Sequence, residues 1–263
     1  MSCRLAVAQA AATRNVNTNY ATLVRLVQQA RQQGCQALCL PEAFLTGYDP
    51  TNVGECSLTQ TAEVLGEVAQ LAQSSRVELL VGFQEQAGES HYLTQGLFLA
   101  DGTIYFYRKT HLGRREAKAF TPGQELPVFQ LSCGAKIGLA LCVESHFPQL
   151  IQTLALRGAE LVFAPHAVPA KAGSRQEIWS RYIPTRSYDN RLYMACCNLW
   201  DGDSFSGGCL VTMPTGEELS SFYGTGERLL VFDVDLELVK SYRENNSMGK
   251  RFYPAFRRQE LYE

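Results

Sequence analysis

The sequence predicts an α/β fold in which helices cover the faces of β-sheets. Three observations support this prediction: segments typical of strands and of helices alternate in both halves of the chain, strands outnumber helices, and no linker-like stretch divides the 263 residues. Chains of this length commonly form one domain in α/β folds. We therefore expect a single domain over residues 1–263, with residues 245–263 as a C-terminal tail that packs on the domain or on a partner subunit.

Strands and helices in the first half of the chain are predicted from hydrophobic periodicity. Apolar runs or alternating polarity indicate strands, and apolar residues at helical spacing indicate helices. Asn17 can cap the first helix, and Gly34 can end it. Residues 108–126 are rich in charge, glycine and proline, which predicts an irregular segment long enough to be functional. The predicted elements are strand 4–10, helix 17–34, strand 36–40, helix 59–74, strand 77–84, strand 91–100 and strand 103–107.

The second half repeats this alternation. An apolar run at residues 136–141 reaches Cys142, and an amphipathic run that contains a proline follows it. The predicted elements are helix 147–157, strand 160–165, loop 166–174, helix 175–189, strands 192–199 and 207–213, and a late strand near 229–234.

Composition and charge exclude several classes of protein. The hydrophobic fraction is 46% and the formal charge is -2, so we expect neither a disordered chain nor a nucleic-acid partner. No stretch approaches the roughly 18 apolar residues of a membrane span, so we expect a soluble protein without a membrane partner. The 9 cysteines include adjacent Cys196 and Cys197 and thiols within apolar runs, which favours a reducing, cytoplasmic compartment over a disulfide scaffold.

Cys142 is the candidate nucleophile because it lies where the apolar run ends and the amphipathic run begins. A thiol at such a strand-to-helix turn lies near free backbone N–H groups and a positive dipole end, which favour the thiolate. A free thiol is mostly protonated at neutral pH, so a catalytic cysteine needs a base, a cation or a helix terminus nearby. His146 is one candidate base, and His111 and His166, in predicted loops, are not excluded.

Carboxylates and a lysine offer another way to activate the thiol. Glu42 follows a proline at the end of a predicted strand, where α/β proteins tend to build their sites. Glu116 lies in the irregular segment, and Lys109 opens that segment directly after a strand. Alone, each of these residues is more often a solvated or capping charge, so their shared order along the chain decides the interpretation.

Four segments carry these residues: Leu40-Pro-Glu-Ala-Phe-Leu-Thr-Gly-Tyr48, Tyr107-Arg-Lys-Thr-His-Leu112, Glu116-Ala-Lys-Ala-Phe-Thr-Pro-Gly123 and Gly138-Leu-Ala-Leu-Cys-Val-Glu-Ser-His-Phe-Pro148. Their content and order resemble the nitrilase, or carbon-nitrogen hydrolase, superfamily. Later landmarks, such as Gly207-Gly-Cys-Leu-Val-Thr-Met-Pro-Thr-Gly216, extend the resemblance over nearly the whole chain.

The resemblance implies a four-layer α-β-β-α sandwich and cysteine-dependent hydrolysis of nonpeptide C–N bonds by a Glu-Lys-Cys triad. By position the triad is Glu42, Lys109 and Cys142, with Glu116 as the additional glutamate. Glu42 would take the thiol proton, Cys142 would attack the amide or nitrile carbon, and Lys109 would stabilise the negative charge on the oxygen. This chemistry requires no metal and no organic cofactor.

Residues that border the pocket are also implied. The resemblance places Tyr48 and His166 in loops beside the substrate, and Val143 can donate its backbone N–H to the oxyanion. We expect Val143 and Glu144 to contact the substrate as well, and they stand where many amidase-like members have an aromatic residue and then Asp. Cys-x-Glu also occurs in true nitrilases, whose middle residue is usually Trp, so the choice between amide and nitrile stays open.

We expect a small linear amide as the substrate, an N-carbamoyl compound as a close variant and a nitrile as the alternative. Two rival functions are a binding protein with a silent site and an acyltransferase that passes the thioester's acyl group to an amine or thiol. Retention of the whole triad argues against the first, and the absence of apolar spans disfavours lipid-modifying acyltransferases. The resemblance also implies a homodimer or higher homo-oligomer, with contacts through the helices after Cys142 and Glu177.

Other polar residues predict no further chemistry. Cys35, Cys39 and Cys56 lack a paired CxxC spacing and the histidines form no HxxxH cluster, so we expect no zinc site. Lys171 and Arg175 could meet a substrate carboxylate, although a solvated loop is the more frequent explanation for such residues.

Overall fold

The computed structural model describes residues 2–244 and 251–261, in which the strands form two six-stranded sheets. The strands are β1 (Ser2–Gln9), β2 (Ala37–Cys39), β3 (Glu78–Ala87), β4 (Ser90–Phe98), β5 (Ile104–Arg108), β6 (Phe129–Gln130), β7 (Lys136–Leu139), β8 (Leu161–His166), β9 (Tyr193–Asn198), β10 (Cys209–Thr212), β11 (Glu218–Phe222) and β12 (Arg228–Asp235). The helices are α1 (Val16–Gln32), α2 (Val53–Cys56), α3 (Glu63–Ser75), α4 (Pro148–Leu156), α5 (Arg175–Trp179), α6 (Ile183–Asn190) and α7 (Leu236–Glu244). Short 3₁₀ helices include Glu116–Lys118, Cys142–His146, Ala170–Ala172 and Tyr253–Phe256.

Both sheets combine parallel and antiparallel pairs. The first has the order β12-β1-β2-β3-β4-β5, in which β1, β2 and β3 are parallel neighbours. The second has the order β11-β10-β9-β8-β7-β6, in which β7, β8 and β9 are parallel. Helices make the crossovers between the parallel strands, so the carboxyl ends of these strands lie at one edge of each sheet.

The two sheets face each other, and helices cover their outer faces. Apolar side chains of both sheets, such as Leu5 and Phe163, fill the space between them. Leu26 of α1 and Val68 of α3 pack on the outer face of the first sheet. Ile151 of α4 packs on the outer face of the second sheet, beside apolar residues of α5 and α6. These four layers confirm the predicted α-β-β-α sandwich.

Helix bounds differ from the prediction in two places. Asn15, not Asn17, caps α1, because the Asn15 side chain accepts the backbone N–H of Thr18. The predicted helix 175–189 is two helices, α5 and α6, because Pro184 cannot donate an interior helical hydrogen bond and instead lies in the first turn of α6. Among the helices of residues 2–244 and 251–261, none has the length and hydropathy of a membrane-crossing segment.

The last part of the chain adds elements that the sequence pattern does not indicate, namely β11 and α7. Of the predicted tail, residues 251–261 are described, whereas 245–250 and 262–263 lie outside the described residues. Pro254 is buried, and Phe252 packs against the apolar cluster to which α4 and α6 contribute. The described part of the tail therefore contacts its own chain, and a contact with a partner subunit stays a prediction.

Candidate active site

The ends of three strands bring the predicted catalytic residues together. Glu42 follows β2, Lys109 follows β5 in the same sheet, and Cys142 follows β7 in the facing sheet. Glu116 lies in the 3₁₀ turn of the irregular segment after β5. The charges of Glu42, Lys109 and Glu116 all act on the thiol of Cys142, so the four side chains form one electrostatic cluster.

Lys109 is the centre of this cluster. Its Nζ lies 2.8 Å from Oε1 of Glu42, and 2.8 and 2.9 Å from the two carboxylate oxygens of Glu116. Lys109, Glu42 and Glu116 are 0%, 1% and 5% exposed. Burial opposes the charge of Lys109, but Glu42, Cys142 and Glu116 together raise its pKa above the ordinary value. The lysine is therefore a fixed cation at neutral pH.

Glu42 keeps one carboxylate oxygen free. Its Oε1 accepts from Lys109, whereas its Oε2 is buried and has no hydrogen-bond partner within the described residues. Burial raises the pKa of Glu42 to about 7, against the opposing effect of Lys109. A carboxylate with a pKa near neutral can both accept a proton and return it during a reaction.

The turn that carries Glu42 lies directly on β3. Ala43 has a left-handed backbone with φ of 54°, and Leu45 donates its N–H to the carbonyl of Gly82 at 2.8 Å. A Cβ on Gly82 would lie 2.5 Å from the nitrogen of Ala43 and 2.7 Å from the oxygen of Pro41, so this approach requires glycine. An isolated glycine inside the predicted strand 77–84 is the signal that points to such a contact.

The backbone of Cys142 also lies in the left-handed region, with φ of 50°, which is rare for residues other than glycine. The hydroxyl of Ser145 donates to the carbonyl oxygen of Cys142 at 2.6 Å and holds this turn. Part of the Cys142 residue is exposed, while its thiol is enclosed by protein atoms. Val143 follows it and is half-buried, and its contact with an oxyanion stays a prediction.

The thiol of Cys142 is protonated at neutral pH. Burial and the charge of Glu42 raise its pKa to about 12, and they outweigh Lys109 and the backbone N–H of Ala167, which lower it. The prediction that the turn favours the thiolate is therefore wrong, because burial of the sulfur and the charges of Glu42 and Glu116 oppose ionisation more strongly than the turn supports it. A thiol in this state acts as a nucleophile only if a base removes its proton.

Glu116 and Tyr48 orient the lysine. Glu116 accepts from Lys109, from the hydroxyl of Tyr48 at 2.9 Å and from the backbone N–H of Gly113 at 2.6 Å. Burial and the neighbouring carboxylates raise the pKa of the Tyr48 hydroxyl, so it stays a neutral donor. Tyr48, predicted to contact the substrate, thus also contacts the catalytic cluster itself.

Glu144 ties the turn that carries Cys142 to the segment after Lys109. Its buried carboxylate accepts the backbone N–H groups of Leu141 and Thr110, each at 2.7 Å, and the hydroxyl of Tyr107 at 2.8 Å. Burial opposes ionisation, but hydrogen bonds from His111, Thr110 and Leu141, together with the charge of Lys109, outweigh it and hold the pKa of Glu144 below its usual range. All these donors belong to the protein, so the geometry favours a positioning role for Glu144 over the predicted contact with the substrate.

The histidines near the thiol are supports rather than bases. His166 is the last residue of β8, not a loop residue, and burial lowers its pKa to about 3. Its Nδ1 lies 2.7 Å from the oxygen of Ala164, and its Nε2 lies 3.4 Å from the hydroxyl of Ser145. His146 stacks on Tyr182 with 4.1 Å between ring centroids. The Tyr182 hydroxyl lies 3.0 Å from the hydroxyl of Ser145. The sequence pattern does not indicate that Ser145 and Tyr182 support the residues around the thiol.

A metal site is not apparent in the described part of the chain. In residues 2–244 and 251–261, no group of three or more His, Cys, Asp and Glu side chains is arranged to hold a metal ion. The arrangement that the structure does contain is a buried cation between two carboxylates, with an enclosed thiol beside them. Such a set can move one proton and stabilise one negative charge.

The chain belongs to the carbon-nitrogen hydrolase family, whose model matches residues 4–244. This match confirms the resemblance predicted from the four sequence segments. It also confirms the prediction of an enzyme that hydrolyses C–N bonds.

Individual relatives agree with this assignment. N-carbamoylputrescine amidase of Solanum tuberosum is 32% identical over 265 residues, which cover 91% of this chain and 88% of the relative. Nitrilase of Pyrococcus abyssi is 31% identical over 245 residues, which cover 87% of each chain. A solved structure of a mutant amidase from Nesterenkonia sp. AN1 has a TM-score of 0.84 at 25% identity and covers 99% of this chain and 95% of that one. In that amidase, the acetamide moiety of fluoroacetamide is covalently added at the active-site cysteine.

Proposed function

We propose that this chain hydrolyses a nonpeptide C–N bond in a small linear amide through a thioester on Cys142. The observation that carries the proposal is the buried Lys109 ammonium held between Glu42 and Glu116, beside a thiol on which all three charges act. The covalent adduct on the cysteine of the Nesterenkonia amidase supports the same role for Cys142.

Formation of the thioester begins with proton transfer. Oε2 of Glu42, the oxygen that Lys109 leaves free, accepts the proton of the Cys142 thiol. The sulfur bonds to the carbonyl carbon, and the electron pair of the C=O bond moves to the oxygen. Glu42 then returns the proton to the amide nitrogen as the C–N bond breaks, so that ammonia or an amine leaves and the acyl group stays on sulfur.

Hydrolysis of the thioester uses the same base. Glu42 accepts a proton from a water molecule, whose oxygen bonds to the thioester carbon. The second tetrahedral intermediate breaks its C–S bond, and the proton held by Glu42 returns to the sulfur. The carboxylic acid leaves and the enzyme regains its starting protonation state.

The negative charge on the substrate oxygen is stabilised by Lys109 and by the backbone N–H of Val143. A fixed ammonium needs no reorganisation when the charge develops, which is the condition for strong electrostatic catalysis. Glu116 holds the ammonium in place, and Tyr48 holds Glu116. Loss of one oxyanion donor typically lowers the rate by about 10²–10³-fold.

The substrates that we propose are small amides and N-carbamoyl compounds, because the amidases among the relatives are named for such reactions. A nitrile is the second candidate, favoured by the relative named as a nitrilase. The thiol of Cys142 would then add across the C≡N bond to give a thioimidate. One water molecule would replace its nitrogen, which leaves as ammonia, and a second would hydrolyse the resulting thioester to a carboxylic acid and the free thiol. Every step above uses side chains, backbone groups and water, so we propose that no metal or organic cofactor takes part.

The assembly and compartment are also proposals. All 9 cysteines are free thiols, which supports a reducing, cytoplasmic setting. Exposed large side chains in or next to α4 and α6, such as Phe147, Leu156 and Tyr188, support a homodimer or higher homo-oligomer. We propose that residues 1–263 act as one domain, since the site draws on both sheets.

Ammonia release from a panel of amides, N-carbamoyl compounds and nitriles tests the activity. We expect turnover of at least one amide class by the wild type, and none by Cys142→Ala, Lys109→Ala or Glu42→Gln, with circular dichroism showing that each variant is folded. Cys133→Ala, which removes a partly exposed thiol outside the site, is the matched control and should keep its activity. Turnover that requires an added amine or thiol acceptor would indicate an acyltransferase, and no turnover at all would indicate a silent site.

A further inference from the structure

Arg175 is a buried cation that the proposed reaction does not use. The residue is 6% exposed and opens α5. Its Nη2 donates to the carbonyl oxygens of Ala172 and Gly173, each at 3.1 Å. Its Nε is buried and has no hydrogen-bond partner within the described residues. A guanidinium carries five N–H donors, so these contacts leave part of its donor capacity unused.

The charge of Arg175 also lacks a counter-charge. No carboxylate of residues 2–244 and 251–261 forms an ion pair with it. Burial lowers the pKa of Arg175, and the groups that oppose this effect are Cys142 and Tyr182, both of which are neutral at pH 7. Lys109 is different, because two carboxylates surround it. A buried charge without a partner costs free energy unless a ligand supplies the partner.

The charges of Arg175 and Cys142 interact, and Arg175 also acts on His166, so this cation lies in the neighbourhood of the thiol. The loop of residues 167–174 contacts both groups, because the backbone N–H of Ala167 acts on the Cys142 sulfur and the carbonyls of Ala172 and Gly173 accept from the guanidinium. A Cβ on Gly208 would lie 3.2 Å from the Cβ of Arg175, so the arginine stem packs closely on this glycine. The position of the guanidinium is therefore fixed before any substrate arrives.

We propose that Arg175 binds a carboxylate at the far end of the substrate, so that the preferred substrates are amides or N-carbamoyl compounds that carry a carboxylate. This inference rests on the proposed function, since it names the substrate class of the same site. A carboxylate supplies both the missing counter-charge and acceptors for the guanidinium fork. A terminal ammonium would instead meet an uncompensated cation, and a methyl group would leave the buried donors unpaired.

The burial of Arg175 argues against its interpretation as a solvated charge on a loop. Lys171, the other cation of this segment, is exposed and has free access to water. Arg175 is 6% exposed and its Nε is sealed from solvent, so water does not satisfy that donor as it can satisfy the ammonium of Lys171. Lys171 therefore provides a matched control on the same loop.

Two substrates of similar shape test the inference. Succinamate and butyramide differ in a carboxylate that replaces a methyl group, so their kcat/KM ratio isolates recognition of the charge. We expect the wild type to prefer succinamate by about 100-fold, and Arg175→Gln to lose most of this preference because its kcat/KM falls far more for succinamate than for butyramide. Arg175→Lys should keep part of the preference, and Lys171→Gln should keep all of it. 4-Aminobutyramide, with a terminal ammonium, should be the poorest of the three amides.

The same comparison can be made between N-carbamoyl-β-alanine, which ends in a carboxylate, and N-carbamoylputrescine, which ends in an ammonium. It shows which terminal charge the site prefers among N-carbamoyl compounds. Binding can be measured without turnover in Cys142→Ala, where succinamate should raise Tm more than butyramide does, and Arg175→Gln in that background should abolish the difference. A wild-type ratio near one, or an equal loss for both amides in Arg175→Gln, would overturn the inference and leave the hydrolase intact. If the wild type hydrolyses nothing but the Tm difference depends on Arg175, the hydrolase fails and the carboxylate site stands.

Discussion

Lys109 and Glu42 form an ion pair with 2.8 Å between Nζ and Oε1, and this contact leaves the other oxygen of Glu42 buried without a partner in the described residues. The pair thereby divides the two oxygens of one carboxylate between two tasks. One oxygen fixes the cation, and the other is available for a proton. The assignment of Glu42 as the base depends on this division.

The pH dependence of the reaction should report the state of Glu42. Burial raises its pKa to about 7, and only the deprotonated carboxylate accepts the thiol proton. Activity should therefore be lost as pH falls through about 7, with kcat/KM for a neutral amide dropping about tenfold per pH unit below that value. The profile is best measured with butyramide between about pH 5 and 9, because the charge of this substrate does not change there.

His146 provides the control for that profile. It is the titratable ring four positions after Cys142, and burial lowers its pKa. His146→Gln should leave the acidic limb in place, since the ring stacks on Tyr182 and does not act as the base. A limb that disappears in His146→Gln would reassign the base to the histidine.

The buried carboxylate of Glu144 should contribute to the stability of the fold through the hydrogen bonds that it accepts. Its carboxylate receives donors from Leu141, Thr110 and Tyr107, and an amide in Glu144→Gln would turn an N–H toward these donors. We expect a loss of about 2–3 kcal/mol in the free energy of unfolding at pH 7, measured by urea denaturation. Glu125→Gln, at an exposed position, should change stability by less than about 0.5 kcal/mol.

The lowered pKa of Glu144 predicts how the stability difference between the wild type and Glu144→Gln depends on pH. A carboxyl whose pKa is lower in the folded chain stabilises the fold above its unfolded pKa, and this contribution is lost as pH falls through the folded value. The difference between wild type and Glu144→Gln should therefore shrink below about pH 4. An undiminished difference in acid would show that the charge of Glu144 does not provide the stabilisation.

Gly82→Ala should damage the reaction through the position of Glu42. The new Cβ would lie 2.5 Å from the nitrogen of Ala43 and 2.7 Å from the oxygen of Pro41, so the turn that carries Glu42 must move. A displacement of about 1 Å can lower kcat by about 100-fold. Gly66→Ala is the control, because no atom lies within 4 Å of its added Cβ, and kcat should not change. Equal kcat values in the two variants would show that β3 does not position the base.

Much of the layered fold can be predicted from the sequence because hydrophobic periodicity reports which faces are buried. The apolar runs at residues 4–10 and 160–165 correspond closely to β1 and β8. Periodicity gives less information where a local residue decides the outcome. Pro184 divides one predicted helix into α5 and α6, and Asn15 rather than Asn17 caps α1 because its side chain reaches Thr18.

The sequence likewise predicts some features of the candidate site and not others. The order of the motifs predicts which residues belong together, and the structure joins Glu42, Lys109 and Glu116 by hydrogen bonds. Sequence order cannot give the burial that raises the pKa of Cys142, nor the enclosure of Arg175, because both depend on distant segments that pack around them.

Alkylation by 2-chloroacetamide tests the central claim most directly, because it reports the reactivity of the one sulfur on which every step depends. Peptide mapping of the intact enzyme should find one carbamidomethyl group on Cys142, formed faster than any on Cys133, and formed about 100-fold more slowly in Glu42→Gln. Labelling of the intact protein that persists in Cys142→Ala at the same rate and extent would contradict the assignment of Cys142 as the nucleophile.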